Sequence, residues 1–165
     1  MKKISSSVIC CLFTVIFLFG STTAGLAATK MPTFSLESVS DGKKINSSFF
    51  TGKVLLLTFF ATWCPPCAAE VPVLNELQQK YGRDGFSVVG LSVDQQGVST
   101  VAEFVEEKRI NYPVLMAGAG TARDFGGIYG IPVAFLVNRA GNVVKKYTGY
   151  VGHQVLDKDV RSLLN

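Results

Sequence analysis

Cysteine and histidine are scarce in this chain, and their scarcity argues against several functional classes. The 165 residues include four cysteines and one histidine. A small disulfide-stapled scaffold needs a dense cysteine framework, and a structural zinc site needs four ligands. Charge is nearly balanced, and no basic tract or interleaving of basic and aromatic residues predicts nucleic-acid binding. With no internal repeat and no low-complexity linker, the sequence favours a single folded domain.

The start of the chain has the layout of a secretory signal peptide. Two lysines precede an apolar core, Val8–Phe19, and a stretch of small residues that ends at Ala28. We therefore expect a signal peptide over residues 1–27 and one domain over residues 28–165. The apolar core is shorter than the ~20 residues of a membrane-spanning helix, although an uncleaved signal would leave the protein anchored to a membrane.

Removal of this signal would leave one pair of cysteines in the exported protein. Cys10 and Cys11 lie within the apolar core of the signal, so only Cys64 and Cys67 would remain. In an oxidising compartment, a lone pair of thiols does not make a disulfide framework. The sequence therefore predicts that these two cysteines carry the chemistry of the protein.

The two thiols lie where a buried strand is followed by a helix. Val54–Phe60 is an apolar run, and apolar residues recur at helical spacing from Cys64 to Tyr81. Pro65 and Pro66 would occupy the first helical positions, where a missing N–H has no consequence. The unpaired N–H groups and the dipole of a helix N-terminus favour a thiolate, and such a setting makes a cysteine nucleophilic. A disulfide redox centre is the leading interpretation.

Three other interpretations of the thiol pair remain open from the residues alone. A structural disulfide across two residues would close a very short loop and restrain the unfolded chain little. A zinc half-site would need further ligands. A copper-binding or copper-delivery module could use His153 as a third ligand. The metal content of the reduced protein would distinguish a metal-binding module from an enzyme.

Strands and helices alternate along the rest of the chain. The predicted strands are Thr33–Glu37, Lys44–Ile45, Val54–Phe60, Phe86–Val93, Pro113–Met116, Val133–Val137 and Val143–Tyr147. The predicted helices are Cys64–Tyr81, Val98–Arg109, Thr121–Phe125 and Val155–Leu164. The apolar faces of the second and last helices include Val98 and Val155. This order predicts a three-layer α/β fold.

Four segments match those of a known superfamily. The block Leu55–Cys67 combines an apolar strand with the cysteine motif, and Pro72 follows it in the helix. Phe86–Asp94 forms the next strand, and Gly130-Ile131-Pro132 precedes a later one. In these features the chain resembles the thioredoxin superfamily, in its bacterial extracytoplasmic TlpA/ResA-like branch, over residues 31–164. The resemblance implies a thioredoxin fold with an N-terminal β-hairpin and a central strand/helix insertion.

The resemblance also implies roles for the residues of the motif. Cys64, nearer the surface, would attack substrate disulfides, and Cys67 would resolve the mixed disulfide. We expect the N–H groups of Cys67 and Ala68 to point at the first sulfur. Thioredoxins proper carry a buried aspartate as proton acceptor in the preceding strand, and Thr58 occupies that position here. Glu70 would take over this role as a third catalytic group, with a pKa raised by burial.

Substrate positioning is implied for five further residues. Trp63 would pack beside the site and limit its contact with solvent, and Pro65 and Pro66 would form part of the same surface. The peptide bond before Pro132 would be cis, as in the family's cis-proline loop. Ile131 would then offer its backbone to an extended substrate by strand addition.

The implied function is an exported thiol-disulfide oxidoreductase, in the periplasm or another extracytoplasmic space. The absence of a histidine between the cysteines favours a reductant. Its partners would be disulfide-containing proteins, such as apocytochrome c in cytochrome c biogenesis, and a membrane electron donor that re-reduces the pair. We expect no cofactor, metal or nucleic acid. A peroxidase of the same fold is the alternative, but Leu57 and Ala61 replace its signature proline and threonine.

Overall fold

The computed structural model of the protein describes residues 29–165. The predicted signal peptide and its cleavage position lie outside the described residues. Within residues 29–165, no helix has the length and apolar character needed to cross a membrane.

Strands and helices alternate in the order expected from the sequence. The strands are β1 (Ser35–Glu37), β2 (Lys44–Asn46), β3 (Val54–Phe60), β4 (Phe86–Ser92), β5 (Val114–Met116), β6 (Val133–Val137) and β7 (Val143–Thr148). The α-helices are α1 (Pro65–Tyr81), α2 (Val98–Glu107), α3 (Ala119–Asp124) and α4 (His153–Leu164). Short 3-10 turns occupy Ser47–Phe50 and Gly82–Asp84.

A five-stranded sheet forms the middle layer, in the order β5-β4-β3-β6-β7. The neighbours β3, β4 and β5 are parallel, whereas β6 and β7 are antiparallel to their neighbours. The expected N-terminal hairpin is present as the antiparallel pair β1–β2, and it reaches the sheet through a bridge between Ser38 and Leu115. The expected central insertion consists of α2 and β5, between β4 and α3.

The two faces of the sheet are both buried, because successive side chains of a strand point to opposite sides. Along β3, Leu56 and Phe60 join a core with residues of α1, α2 and α4. Leu55, Leu57 and Phe59 join a second core, which the N-terminal segment and α3 cover. This double burial explains why β3 is apolar along its length except at Thr58, a composition typical of a central parallel strand.

Helix α1 agrees with the prediction, whereas α2 and α4 differ in detail. Pro72 lies inside α1, as the resemblance implies. Val98 is exposed, because it is the first residue of α2, and Phe104 is the large buried residue of that helix. Val155 is also exposed, since α4 buries Leu156 and Val160 instead, one helical turn apart. The predicted placement of Val98 on the inner face of α2 is therefore wrong.

Two carboxylates hold α4 against the rest of the domain. Asp157 accepts hydrogen bonds from the Lys80 ammonium group at 2.7 Å and from the Tyr81 hydroxyl at 2.8 Å, both at the end of α1. Asp159 accepts equivalent bonds from Lys145 at 2.6 Å and Tyr147 at 2.7 Å on β7. The pairs fix the closing helix over the sheet.

Candidate active site

The cysteine pair lies at the N-terminus of α1, directly after β3. Cys64 is the N-cap residue, and its sulfur accepts a hydrogen bond from the Cys67 N–H at 3.3 Å. Pro65 and Pro66 take the first helical positions, as expected. The Ala68 N–H donates instead to the Cys64 carbonyl oxygen at 3.1 Å, so only one of the two expected donors faces the sulfur.

Cys64 and Cys67 are joined by a disulfide, with their Cα atoms 5.3 Å apart. Their exposed fractions are 4% and 3%, so both are buried in this disulfide form and exposure does not distinguish them; that Cys64 lies nearer the surface stays a prediction. The two cysteines differ in their neighbours instead. The Cys64 sulfur lies 3.8 Å from the Ile131 carbonyl oxygen, and the peptide bond between Ile131 and Pro132 is cis. The structure thus brings the expected loop against the first cysteine.

Trp63 lies in an exposed position beside the site. Its side chain is 63% exposed and lines an open groove, while its expected role in limiting solvent at the disulfide stays a prediction. This groove has a volume of 340 Å³ and includes Ile131 and Tyr129 in its lining. Tyr129 is 99% exposed. Exposed aromatic side chains beside a groove are typical of a surface that binds a partner.

Glu70 lies inside the domain, on the first turns of α1. It is only 2% exposed, and its Oε1 atom accepts a hydrogen bond from the Val151 N–H at 3.1 Å. Burial raises the pKa of the Glu70 carboxyl above its usual range, and the bond from Val151 offsets part of this shift. The expected burial and the expected direction of the pKa shift are confirmed, while the role of Glu70 in catalysis remains a prediction.

Thr58 lies on the face of β3 that α1 covers, in the position where a thioredoxin proper has its buried aspartate. Its hydroxyl is buried and has no hydrogen-bond partner among residues 29–165. Tyr112 is buried in the same core, and burial together with the nearby Glu70 raises the pKa of its phenol. Glu70 thus supplies a carboxyl to this core, whereas Thr58 supplies none.

Asp94 is a site residue that the sequence did not single out. It follows β4 and is buried, with its carboxylate turned to the loop that precedes Cys64. Thr62 donates to it from its N–H at 3.0 Å and from its hydroxyl at 2.7 Å. Ser92 donates its hydroxyl at 2.8 Å. Asp94 thereby fixes the loop between β3 and the cysteine motif.

His153, the third ligand of the copper-binding alternative, contacts an acidic side chain of α1. It is the first residue of α4, and its Nε2 atom lies 3.4 Å from Glu76 Oε1. In the described part of the chain, no group of three or more histidine, cysteine or acidic side chains could hold a metal ion.

A helix-terminal disulfide that faces a cis-proline loop, on a sheet with helices on both sides, defines a thioredoxin-fold oxidoreductase. A sequence profile named Redoxin matches residues 26–164, and the chain belongs to this family.

Individual relatives agree with this assignment. The chain is 31% identical to the thiol-disulfide oxidoreductase ResA of Bacillus thuringiensis subsp. konkukian, over 74% of this chain and 70% of the relative. It is 32% identical to the ResA of Bacillus subtilis, over 72% of this chain and 65% of that protein. A solved thiol:disulfide interchange protein of the thioredoxin family from Chlorobium tepidum TLS superimposes with a TM-score of 0.78. That structure is 35% identical and is matched over 86% of this chain and 100% of its own.

These likenesses and the Cys64–Cys67 pair establish the reaction class. The protein is an oxidoreductase that acts by thiol-disulfide exchange. The resemblance to the TlpA/ResA-like branch and the expected fold are both confirmed.

Proposed function

We propose that the protein is an exported reductant of protein disulfides, with Cys64 as nucleophile and Cys67 as resolving thiol. The observation that carries this proposal is the position of the Cys64 sulfur. It caps α1, accepts the Cys67 N–H and lies 3.8 Å from the Ile131 carbonyl oxygen. The helix N-terminus favours a thiolate, and a segment paired with Ile131 would bring its own disulfide beside that sulfur.

The reaction transfers two electrons from the protein to its substrate. The Cys64 thiolate attacks one sulfur of the substrate disulfide, forms a mixed disulfide and releases the other substrate sulfur as a thiolate. The Cys67 thiolate then attacks the Cys64 sulfur, which closes the Cys64–Cys67 disulfide and releases the second substrate sulfur. The protein dithiol is oxidised, the substrate disulfide is reduced, and two protons pass to the substrate sulfurs.

Glu70 is the group that we propose to accept the proton of Cys67. Both lie on the first two turns of α1, three residues apart and therefore on one face of the helix. A carboxyl whose pKa is raised by burial is better matched to proton transfer near neutral pH than an ordinary one. The partnerless hydroxyl of Thr58 cannot act as a base at that pH.

The location and the partners of the protein are part of the same proposal. Export rests on the sequence pattern of residues 1–27. We propose protein substrates such as apocytochrome c and a membrane electron donor for re-reduction, on the resemblance to the TlpA/ResA-like branch. Sequencing the N-terminus of the native protein tests export: a start at Ala28 is expected. Retention of Met1 on membrane-bound protein would replace secretion with anchoring.

A trapping experiment tests the assigned roles of the two cysteines. Cys67→Ser should accumulate a mixed disulfide with its substrates, because attack proceeds and resolution does not. Cys64→Ser, the matched control, should neither trap substrates nor reduce disulfides. The partners captured by Cys67→Ser would then be identified, and reductive release should free them. Faster alkylation of Cys67 than of Cys64 in the reduced protein would reverse the assigned roles.

A further inference from the structure

The groove beside the disulfide has one acidic side chain, Asp94, among the residues that line it. Its lining is mainly aliphatic, with contributions from Val93, Ala122, Ile128 and Ile131. Asp94 is the only charged residue of this lining among residues 29–165. The negative charge therefore stands in apolar surroundings, where water screens it weakly.

The Asp94 carboxylate has no cationic partner within residues 29–165. Its hydrogen bonds come from the neutral N–H and hydroxyl of Thr62 and from the neutral hydroxyl of Ser92. Aspartate is rarely buried unless its charge is paired. The Thr62 N–H also lies 3.2 Å from the second carboxylate oxygen, so both oxygens are hydrogen-bonded while the negative charge stays unpaired. A cation that enters the groove would find this unpaired charge.

We infer that this groove selects substrates in which a basic side chain lies close to the attacked cysteine, with its cation paired to Asp94. Ile131 connects the two places, because it lines the groove and its carbonyl oxygen lies 3.8 Å from the Cys64 sulfur. A segment aligned on Ile131 would thus place its cysteine at Cys64 and a neighbouring side chain in the groove. The inference rests on the proposed function and names the substrate class of that same site.

Two aromatic side chains at the groove suit a lysine or arginine. Trp63 and Tyr129 both line the groove and are largely exposed. The faces of aromatic rings attract cations, and the aliphatic stem of a basic side chain can pack along apolar lining. The Tyr129 ring lies over Gly127, where a Cβ atom would stand 2.8 Å from the ring. The absence of a side chain at Gly127 thus allows the Tyr129 ring to take its place beside the groove.

The test compares reduction rates of matched peptide disulfides by the full chain. The peptides differ only in having lysine, glutamine or glutamate within two residues of the cysteine. The pre-reduced protein is mixed with each peptide, and oxidation is followed by the fluorescence of Trp63, the single tryptophan. Hydroxyethyl disulfide is small and neutral, so its reduction rate reports exchange at the cysteine pair without contacts in the groove.

Three variants isolate the charge from the structural role of Asp94. Asp94→Asn keeps the shape and part of the hydrogen bonding but removes the charge. Gln95→Lys adds a cation at an exposed residue of the same lining. It therefore tests whether the electrostatic potential of the groove governs the preference, in a protein that keeps Asp94. Glu103→Gln is the control, because it removes one negative charge from an exposed position of α2.

The wild type should reduce the lysine peptide about 5-fold faster than the glutamate peptide, as expected for one partly screened ion pair. Added salt should lower this ratio. Asp94→Asn and Gln95→Lys should bring the ratio close to one, while Glu103→Gln should keep it. Equal rates for all peptides in the wild type would overturn the inference, and so would an Asp94→Asn variant that slows every peptide alike. Failure to reduce even hydroxyethyl disulfide would instead overturn the proposed function.

Discussion

Glu70 and Asp94 are two buried carboxylic acids near the same disulfide, yet their surroundings differ. Glu70 lies within the helix that carries the cysteines and accepts one hydrogen bond, from the Val151 N–H. Asp94 lies at the end of the neighbouring strand and accepts hydrogen bonds from three donors on Thr62 and Ser92. Burial disfavours a carboxylate, whereas donated hydrogen bonds stabilise it. Glu70 is therefore the carboxyl whose pKa burial raises, whereas the hydrogen bonds of Asp94 hold the loop before the cysteine motif.

The largest difference between the two acids should appear in catalysis. Glu70→Gln should slow disulfide exchange by about 100-fold near neutral pH, because general acid–base assistance typically contributes at least that much. The pH dependence of Cys67 alkylation should change as well. Thr58→Val is the matched control, since it alters a buried group on the same side without removing a base. A Glu70→Gln variant with wild-type rates and unaltered thiol titration would make Glu70 an ordinary buried residue.

Among the effects on stability, the largest should come from Asp94. Asp94→Ala leaves the donors of Thr62 and Ser92 without their acceptor, which should cost about 3 kcal/mol of unfolding free energy. Asp94→Asn should cost less, because its side-chain oxygen still accepts. Urea unfolding of both variants in the oxidised state measures the difference. Equal stability of Asp94→Ala and the wild type would show that the hydrogen bonds of Asp94 do not hold the loop.

Glu70 should give a stability effect whose size depends on pH. Its pKa is raised in the folded protein, so its protonated form stabilises the fold at low pH. That contribution is lost as the pH rises from the pKa of Glu70 in the unfolded chain through its higher pKa in the folded protein. Glu70→Gln should therefore gain stability relative to the wild type between pH 4 and neutral pH. A stability difference that is constant across this range would contradict the raised pKa.

The smallest effect should come from Asp157, and it should have the opposite sign. Hydrogen bonds from Lys80 and Tyr81 lower the pKa of this carboxyl. Its stabilising contribution is thus fully present above the pKa that Asp157 has in the unfolded chain. The contribution is lost as the pH falls through the lower pKa of Asp157 in the folded protein. Asp157→Asn should lose up to about 1 kcal/mol at neutral pH, since the pair is partly exposed, and little at pH 2. A loss that is larger at pH 2 would reverse this assignment.

The contrast between Glu70 and Asp94 also explains what the sequence could predict. Glu70 lies three residues from Cys67 on one predicted helix, so local spacing was enough to place it. Asp94 meets Thr62 only because β3 and β4 pair in parallel, with Phe60 opposite Ser92. The sequence held one signal for this contact: polar residues follow both buried strands, and the carboxyl ends of parallel strands lie at one edge of a sheet. The register between β3 and β4, however, was not fixed by any local pattern.

The same distinction between local and tertiary information holds for the fold. The apolar run of β3 and the spacing of α1 predicted both elements. The exposure of Val98 and Val155 was not predicted, because short amphipathic helices show a wide apolar stripe. Which part of that stripe is buried depends on the neighbouring elements. The exposure of Trp63 likewise depends on the groove, which residues of distant segments form together.

The reduction potential of the Cys64–Cys67 pair tests the central claim most directly. The purified full-length protein would be equilibrated in glutathione or dithiothreitol buffers, and its dithiol fraction would be measured by alkylation. A reductant of protein disulfides should have a potential near that of thioredoxin, about −270 mV. A potential above about −180 mV, on the side of the disulfide isomerases and oxidants, would contradict a reducing role.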